Sequence, residues 1–279
     1  MRPLYSVELF GFSYPDGTQA LKRMSFEIMP KECIGVLGAN GSGKTTLLKI
    51  LDGILKNYKG KVELDGIDIR KLSPKEIYKR VGLLFQDPDD QLFANTVFED
   101  VAFGPMNMGY TRMETIEKVK LALKDVELEG FEDKKIQDLS FGQKKRVCIA
   151  GLLAMGQDVL LLDEPLSGLD PMGEQKMLEL LKFLNKHKGV TMVIASHNVD
   201  MAPLLFDRVF VLRDGEIVCS GSPKEVFQDI NLIRSLKLRL PYVGELFWKV
   251  RDLGNLSIPV LPLTVEDGHK TLLRLLRKE

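Results

Sequence analysis

The sequence predicts an α/β fold built on a mostly parallel sheet with helices on both faces, and three observations carry that expectation. Short apolar runs recur along the 279 residues: CIGVL (33–37), VGLLF (81–85), VLLLD (159–163) and VTMVIAS (190–196). Continuous runs of this length mark strands buried on both faces, the state of parallel strands covered by crossover helices. Segments of helical period separate them, TTLLKIL closed by Gly53 after the first run and EQKMLELLKFL between the last two. The third observation is a glycine-rich loop that follows CIGVL and opens a helix.

The remaining elements follow in order. Before the first run, VELFGFSY and SFEI read as strands, and KVELDGIDI carries Asp65-Gly66 between alternating apolar positions, a hairpin signal. From about residue 88 to 156 the pattern turns helical, with EKVKLALKDV and a helix whose apolar positions Val147, Ile149, Ala150, Leu152 and Leu153 end at Gly156. VFVLRDGEIVCSG reads as a second hairpin. Ser222-Pro223-Lys224-Glu225 is a capping box with proline at the first helical position, so a new helix begins there. The chain therefore divides at 223. Residues 224–279 hold Phe247, Trp248 and TLLRLL but too little apolar mass for a core of their own, and read as an extension docked on the main unit or on a second copy.

Composition excludes several classes. Lys plus Arg (39) equals Asp plus Glu (39), so no global field favours nucleic acid or an anionic surface, and no nucleic-acid partner is expected. Cys33, Cys148 and Cys219 are far apart and odd in number, which fits buried thiols in a reducing compartment. No run approaches the ~18 apolar residues of a membrane span, and MRPLYSVELF lacks the apolar core of a signal peptide. A cytoplasmic chain is expected.

GANGSGKT (38–45) fits G-x-x-x-x-G-K-[ST] and stands between an apolar strand and a helix. Glycines there let backbone N–H groups converge on phosphate oxygens, a lysine neutralises the β and γ phosphates, and the following hydroxyl ligates Mg²⁺. Gly38, Asn40, Gly41, Ser42, Gly43, Lys44, Thr45 and Thr46 are accordingly the candidate phosphate cradle. VLLLDEP ends a second strand in acids at the sheet edge where ligands bind, so Asp163 is a candidate for Mg²⁺ or its water and Glu164 for polarising an attacking water. A guanine-specific protein would carry N-K-x-D; Asn185-Lys186-His187-Lys188 lacks the acid, which leaves ATP.

LSFGQKKR (139–146) breaks a local rule. Ser140 and Gln143 form an S-x-x-Q capping box, yet Lys144, Lys145 and Arg146 crowd the first turn, where the helix dipole disfavours each cation by about 0.3–1 kcal/mol at exposed sites. A bound anion is the expected compensation.

Together these motifs resemble the ATP-binding cassette of ABC transporters over most of residues 6–223. The resemblance implies a P-loop NTPase fold with a mostly parallel core sheet, an N-terminal antiparallel β subdomain and a helical subdomain at about 88–156, followed here by the small extension. It makes Tyr14 the aromatic that stacks on adenine, Gln86 the glutamine linking Mg²⁺ and water to the transporter contact, and Ser167-Gly168-Leu169-Asp170 the loop after the catalytic acid. His197 becomes the switch histidine near the γ-phosphate and Glu164 the general base. LSFGQ resembles the family signature, with Phe141 where a second glycine is usual. Ser140, Gly142 and Gln143 would then meet the γ-phosphate held by another ATPase subunit, identical or paralogous, in a head-to-tail dimer. FQDPDDQLFANTVFEDVAFGP (85–105) and the tail are similar to the energy-coupling factor type of importer, among them cobalt and nickel (CbiO-like) and vitamin uptake systems. That similarity implies an ATPase peripheral to the cytoplasmic face of the membrane, an integral membrane coupling subunit, a substrate-binding membrane subunit, and a dimerisation role for 224–279. The alternative is a soluble ABC ATPase of DNA repair or translation. About 95 residues separate Lys44 from Leu139 without sustained heptads, which is unlike the former, and a single P-loop is unlike the latter.

Overall fold

The first strand, β1 (Tyr5–Ser13), alternates buried and exposed side chains, as a strand with one wet face must. It pairs antiparallel with β3 (Met24–Ile28) and with β5 (Lys59–Leu64), while β2 (Gln19–Leu21) joins it at Phe12 and Ser13. β5 turns through Asp65 (φ 52°) and Gly66 (φ 78°) into β6 (Ile67–Asp68), the two left-handed residues that the expected hairpin requires. Between these strands the chain leaves for a second sheet along β4 (Cys33–Leu37), followed by α1 (Lys44–Leu51), and after β6 it passes through α2 (Pro74–Tyr78) into β7 (Val81–Leu84). The helical stretch comprises α3 (Val97–Met108), α4 (Arg112–Asp125) and α5 (Phe141–Ala154), each opened by a capping box, at Thr96, Thr111 and Ser140. Then come β8 (Val159–Asp163), α6 (Pro171–Lys186), β9 (Thr191–Ser196), α7 (Ala202–Leu205) and the hairpin of β10 (Arg208–Arg213) and β11 (Glu216–Gly221). The extension is α8 (Pro223–Gln228), α9 (Ile230–Ser235), α10 (Tyr242–Gly254) and α11 (Val265–Leu276). This computed structural model describes residues 2–236, 238–254 and 256–276; the other residues of the two expected units lie outside it.

The second sheet has the order β11-β10-β4-β9-β8-β7 and is parallel except for its terminal hairpin. Every residue of β4, β7, β8 and β9 is buried, which accounts for their unbroken apolar runs. Pleating divides those residues between two cores. Leu160, Leu162, Met192 and Ile194 face the helical side, whereas Val159, Leu161, Val193 and Ala195 face α1 and the N-terminal sheet. Phe227, Ile233, Leu236, Phe247 and Leu261 of the extension pack into the helical-side core.

The structure adds three details to the sequence expectations. β2 is an additional strand where the sequence shows only a loop, because three residues carry no readable period. After Gln86 the chain makes a single 3₁₀ turn, Pro88–Asp90, capped by the Asp87 carboxylate. Of the two alternatives for the extension, the structure shows packing on its own chain.

Asp52 caps the C-terminal end of α1, where burial pushes its carboxyl from 3.8 up to about 7 and the helix dipole also disfavours a charge. A raised carboxyl pKa stabilises the fold only while the acid stays protonated, so this contribution is present below its ordinary value and is lost as pH rises toward 7. Asp52→Asn should therefore raise the thermal midpoint over the parent by an amount that is negligible near pH 4 and largest above pH 7. A difference independent of pH in thermal unfolding followed by circular dichroism would refute this.

Candidate functional site

Three strand ends meet at the carboxyl edge of the parallel sheet. Leu37 is opposite Ser196 and Asp163 is opposite Ala195, so the loops beginning at Gly38, Glu164 and His197 emerge side by side. The 38–46 loop wraps onto α1, whose N-terminus has no side-chain cap and no acid in its first turn, leaving its N–H groups free for an anion. Gly43 makes the wrap possible. Its φ is 104°, and a Cβ there would stand 2.7 Å from the Ala20 carbonyl oxygen. The loop is backed by the β10–β11 turn, where Gly215 donates its N–H to the Ser42 carbonyl (3.1 Å) and accepts from the Lys22 N–H (2.8 Å).

Lys44 folds back over this loop and donates from Nζ to the Gly38 and Ala39 carbonyls at 2.8 and 3.1 Å, with Glu164 Oε1 at 3.9 Å. Burial lowers its pKa, and the neighbouring Glu164 and Asp163 carboxylates work the other way. Thr45 Oγ1 donates to Asp163 Oδ2 at 2.6 Å; burial raises the Asp163 pKa, partly offset by this bond. Tyr14, just beyond β1, places its hydroxyl 3.0 Å from Thr46 Oγ1. The Ser42 hydroxyl is buried beside Gly38 with no hydrogen-bond partner among the described residues.

Glu164 is held more tightly than any sequence pattern conveys. Its φ of 47° is left-handed, which costs a non-glycine residue about 1–3 kcal/mol and persists only where the surroundings over-determine it. Its N–H donates to the Ala195 carbonyl (2.9 Å), and its Oε1 accepts from the His197 N–H (2.9 Å) and stands 2.8 Å from His197 Nδ1. The Ser196 hydroxyl donates to Oε2 (3.2 Å). The carboxylate is thus aimed into a cleft of about 600 Å³ lined by Tyr14, Asn40, Gly41, Gly43, Lys44, Thr45, Thr46, Gln86, Asp163, Glu164 and His197. Gln86 is exposed at its mouth, where β7 ends.

Ser140, Gly142 and Gln143 do not join this cleft. They line a separate one of about 300 Å³ with Asp170 and Gly173. Ser140 Oγ accepts from the Gln143 N–H (3.3 Å) and Gln143 Oε1 from the Ser140 N–H (3.0 Å), so both side chains already serve the capping box. The expected compensation for the cations of α5 is overturned, because all three find partners within the chain. Lys144 pairs with Asp89 (2.7 Å), and Arg146 reaches Glu127 (3.0 Å) and the Val126 carbonyl (3.1 Å). Lys145, fully buried, donates to the carbonyls of Glu164 and Ser167 (both 2.8 Å) and Pro165 (3.3 Å), and burial lowers its pKa to about 8. Ser196 and Lys145 are the site-supporting residues that sequence reasoning missed. Lys145 had a signal: it lies four residues from both Phe141 and Ile149, on the apolar stripe of its helix.

Residues 21–167 match the ABC transporter family, and that span is more than half of the chain. The chain belongs to the ABC transporter family. An energy-coupling factor transporter ATP-binding protein, EcfA, of Methanocaldococcus jannaschii is 50% identical to this cassette over 88% of the chain and 89% of the relative. The structure of CbiO1 from Clostridium perfringens, described as part of the ABC transporter complex CbiONQ, superposes with a TM-score of 0.77 at 42% identity, covering 89% of this chain and 100% of that one. A dimeric ATP-binding cassette in a post-hydrolysis state, bound to ADP and Pi, superposes with a TM-score of 0.70 at 30% identity, over 78% and 98% of the two chains. The protein is an ABC ATPase, and its P-loop cassette fold is that of these neighbours.

Lys44→Ala should weaken ATP binding by this cassette about ten- to a hundredfold, the scale of one charge-assisted contact. Titration with a fluorescent ATP analogue measures it, and affinity within twofold of the parent would dismiss Lys44 as a phosphate ligand.

Proposed function

We propose that the chain is the ATPase of an energy-coupling factor type importer for cobalt, nickel or a vitamin, working at the cytoplasmic face of the membrane without touching the cargo. The observation that carries the chemistry is the Glu164 carboxylate, fixed by His197 and Ser196 and aimed beside Lys44 into the cradle. In this reading Glu164 is the general base, His197 senses the γ-phosphate through the contact it already makes with Glu164, and Tyr14 supports adenine at the rim. Gly38, Asn40, Gly41, Ser42, Gly43, Lys44, Thr45 and Thr46 hold the phosphates, and the orphan Ser42 hydroxyl together with the uncapped start of α1 supports this.

The donors also suit a hard divalent cation, which takes oxygen ligands. Thr45, Gln86 and Asp163 offer a hydroxyl, an amide and a carboxylate on one side of the cleft, and they would hold Mg²⁺ there. Bound Mg²⁺ would supply charge neutralisation at the phosphates.

A complete site needs a second ATPase subunit, since Ser140, Gly142 and Gln143 open a different cleft from the P-loop of their own chain. The dimeric neighbour supports a head-to-tail pair, identical or paralogous. Residues 224–279 would add to that contact, with Tyr242, Leu246, Leu253, Leu272 and Leu276 exposed. Among the described residues no helix is long and apolar enough to cross a membrane, so the reading calls for an integral membrane coupling subunit and a substrate-binding membrane subunit. The coupling subunit would dock on the groove between Asp89, Leu92, Phe93 and Lys144.

Glu164→Gln should preserve ATP binding and lower turnover by at least ~10²-fold, the scale for a positioned base. Turnover at the parental rate would dismiss the assignment. Ser140→Arg and Lys44→Ala subunits, each inactive alone, should regenerate one working site per mixed dimer. Mixed dimers verified by mass and still inactive would overturn the trans-acting arrangement.

A further inference from the structure

Phe141 and Lys145 are one turn apart on α5, and both lie against the segment that follows β8. The Lys145 ammonium has three protons and three carbonyl acceptors, those of Glu164, Pro165 and Ser167. Among the described residues it makes no ion pair. A buried cation is disfavoured unless fully hydrogen-bonded, whereas an apolar side chain could fill the same volume at no desolvation cost. What the ammonium provides that an apolar residue cannot is simultaneous attachment to three backbone carbonyls of one loop. Phe141 adds a second contact, one helical turn away, at Gly168. Gly168 is left-handed (φ 78°), and a Cβ there would stand 2.8 Å from Phe141 Cε1, so the ring lies directly on the glycine. The ring centroid is 5.2 Å from the Lys145 ammonium, close enough for the two to support each other.

We propose that Phe141 and Lys145 clamp the 164–168 loop and so orient the Glu164 carboxylate, joining the Ser140 end of α5 to the base of this chain's own nucleotide site. Both are positioning residues that act through the loop backbone, and the inference rests on Glu164 being the base. In a head-to-tail pair Ser140 serves the partner's nucleotide while Glu164 serves its own. The clamp is then a rigid connection between the two sites, and it gives the phenylalanine in the signature a purpose that glycine lacks.

The test is steady-state ATP hydrolysis by the full chain in four variants. Lys145→Met should lower kcat at least about tenfold with KM for ATP within about twofold, because the phosphate cradle is untouched. Lys145→Gln, which keeps two N–H donors, should recover at least about a third of parental kcat. Phe141→Gly should lower kcat about three- to tenfold, again at constant KM. Parental kcat in Phe141→Gly overturns the proposal whether or not Lys145→Met folds, as does equal loss in the Gln and Met variants, or a fall in kcat that only tracks the fraction of folded protein. Glu164→Gln separates the two layers. If it turns over at the parental rate, the base assignment falls and the proposal with it. If it is inactive while the clamp variants match the parent, the proposal alone falls.

Discussion

The parallel register of β4, β9 and β8 is the constraint on which the site depends. Neighbouring strands lie about 4.8 Å apart, so three chain segments well separated in sequence deliver Gly38, Glu164 and His197 within reach of one small ligand. A slip of one residue in any pair would turn Asp163 or Ser196 to the opposite face and bring an apolar neighbour to the edge. The register is protected by burial on both faces, since the alternating residues of β8 and β9 fill two different cores and neither can be exchanged for the other.

The start of α5 shows how the fold deals with an electrostatic conflict. Three cations at the positive end of a helix would be unfavourable if left in the open. Each is drawn off by a different device: an exposed ion pair for Lys144, a mixed carboxylate and carbonyl contact for Arg146, and a buried ring of carbonyls for Lys145. The exposed pair contributes little, about 0–1 kcal/mol. The buried ring is the consequential one, because three loop carbonyls would otherwise be left without that donor.

Much of this was legible in the residues. The glycine-rich loop, the acidic end of β8, both DG hairpins and the capping boxes at Ser140 and Ser222 are local chemistry, written within a few consecutive positions. Strands β4, β7, β8 and β9 were legible because burial along their whole length keeps all but their end residues apolar. What escaped was whatever depends on a partner distant in sequence. β2 is too short to show a period and exists because β1 and the loop at Gly43 lie beside it. Ser196 reads as the end of an apolar run, and only register shows it donating to Glu164. The apolar stripe marks Lys145 as buried, but its carbonyl acceptors lie on a different element and no local pattern names them.

The hairpin tip at Asp214-Gly215 looks like ordinary exposed punctuation, the kind of turn at which a tag, a cleavage site or a new chain terminus is usually tolerated. Here the backbone of Gly215 is bonded on one side to Ser42 and on the other to Lys22, and a Cβ at this glycine would stand 2.8 Å from the Ala20 carbonyl oxygen. The turn is in effect a mould for the phosphate loop, formed 170 residues downstream of it. An insertion at this tip would be paid for at the nucleotide and not at the surface, so grafts and circular permutations of this cassette belong at other turns.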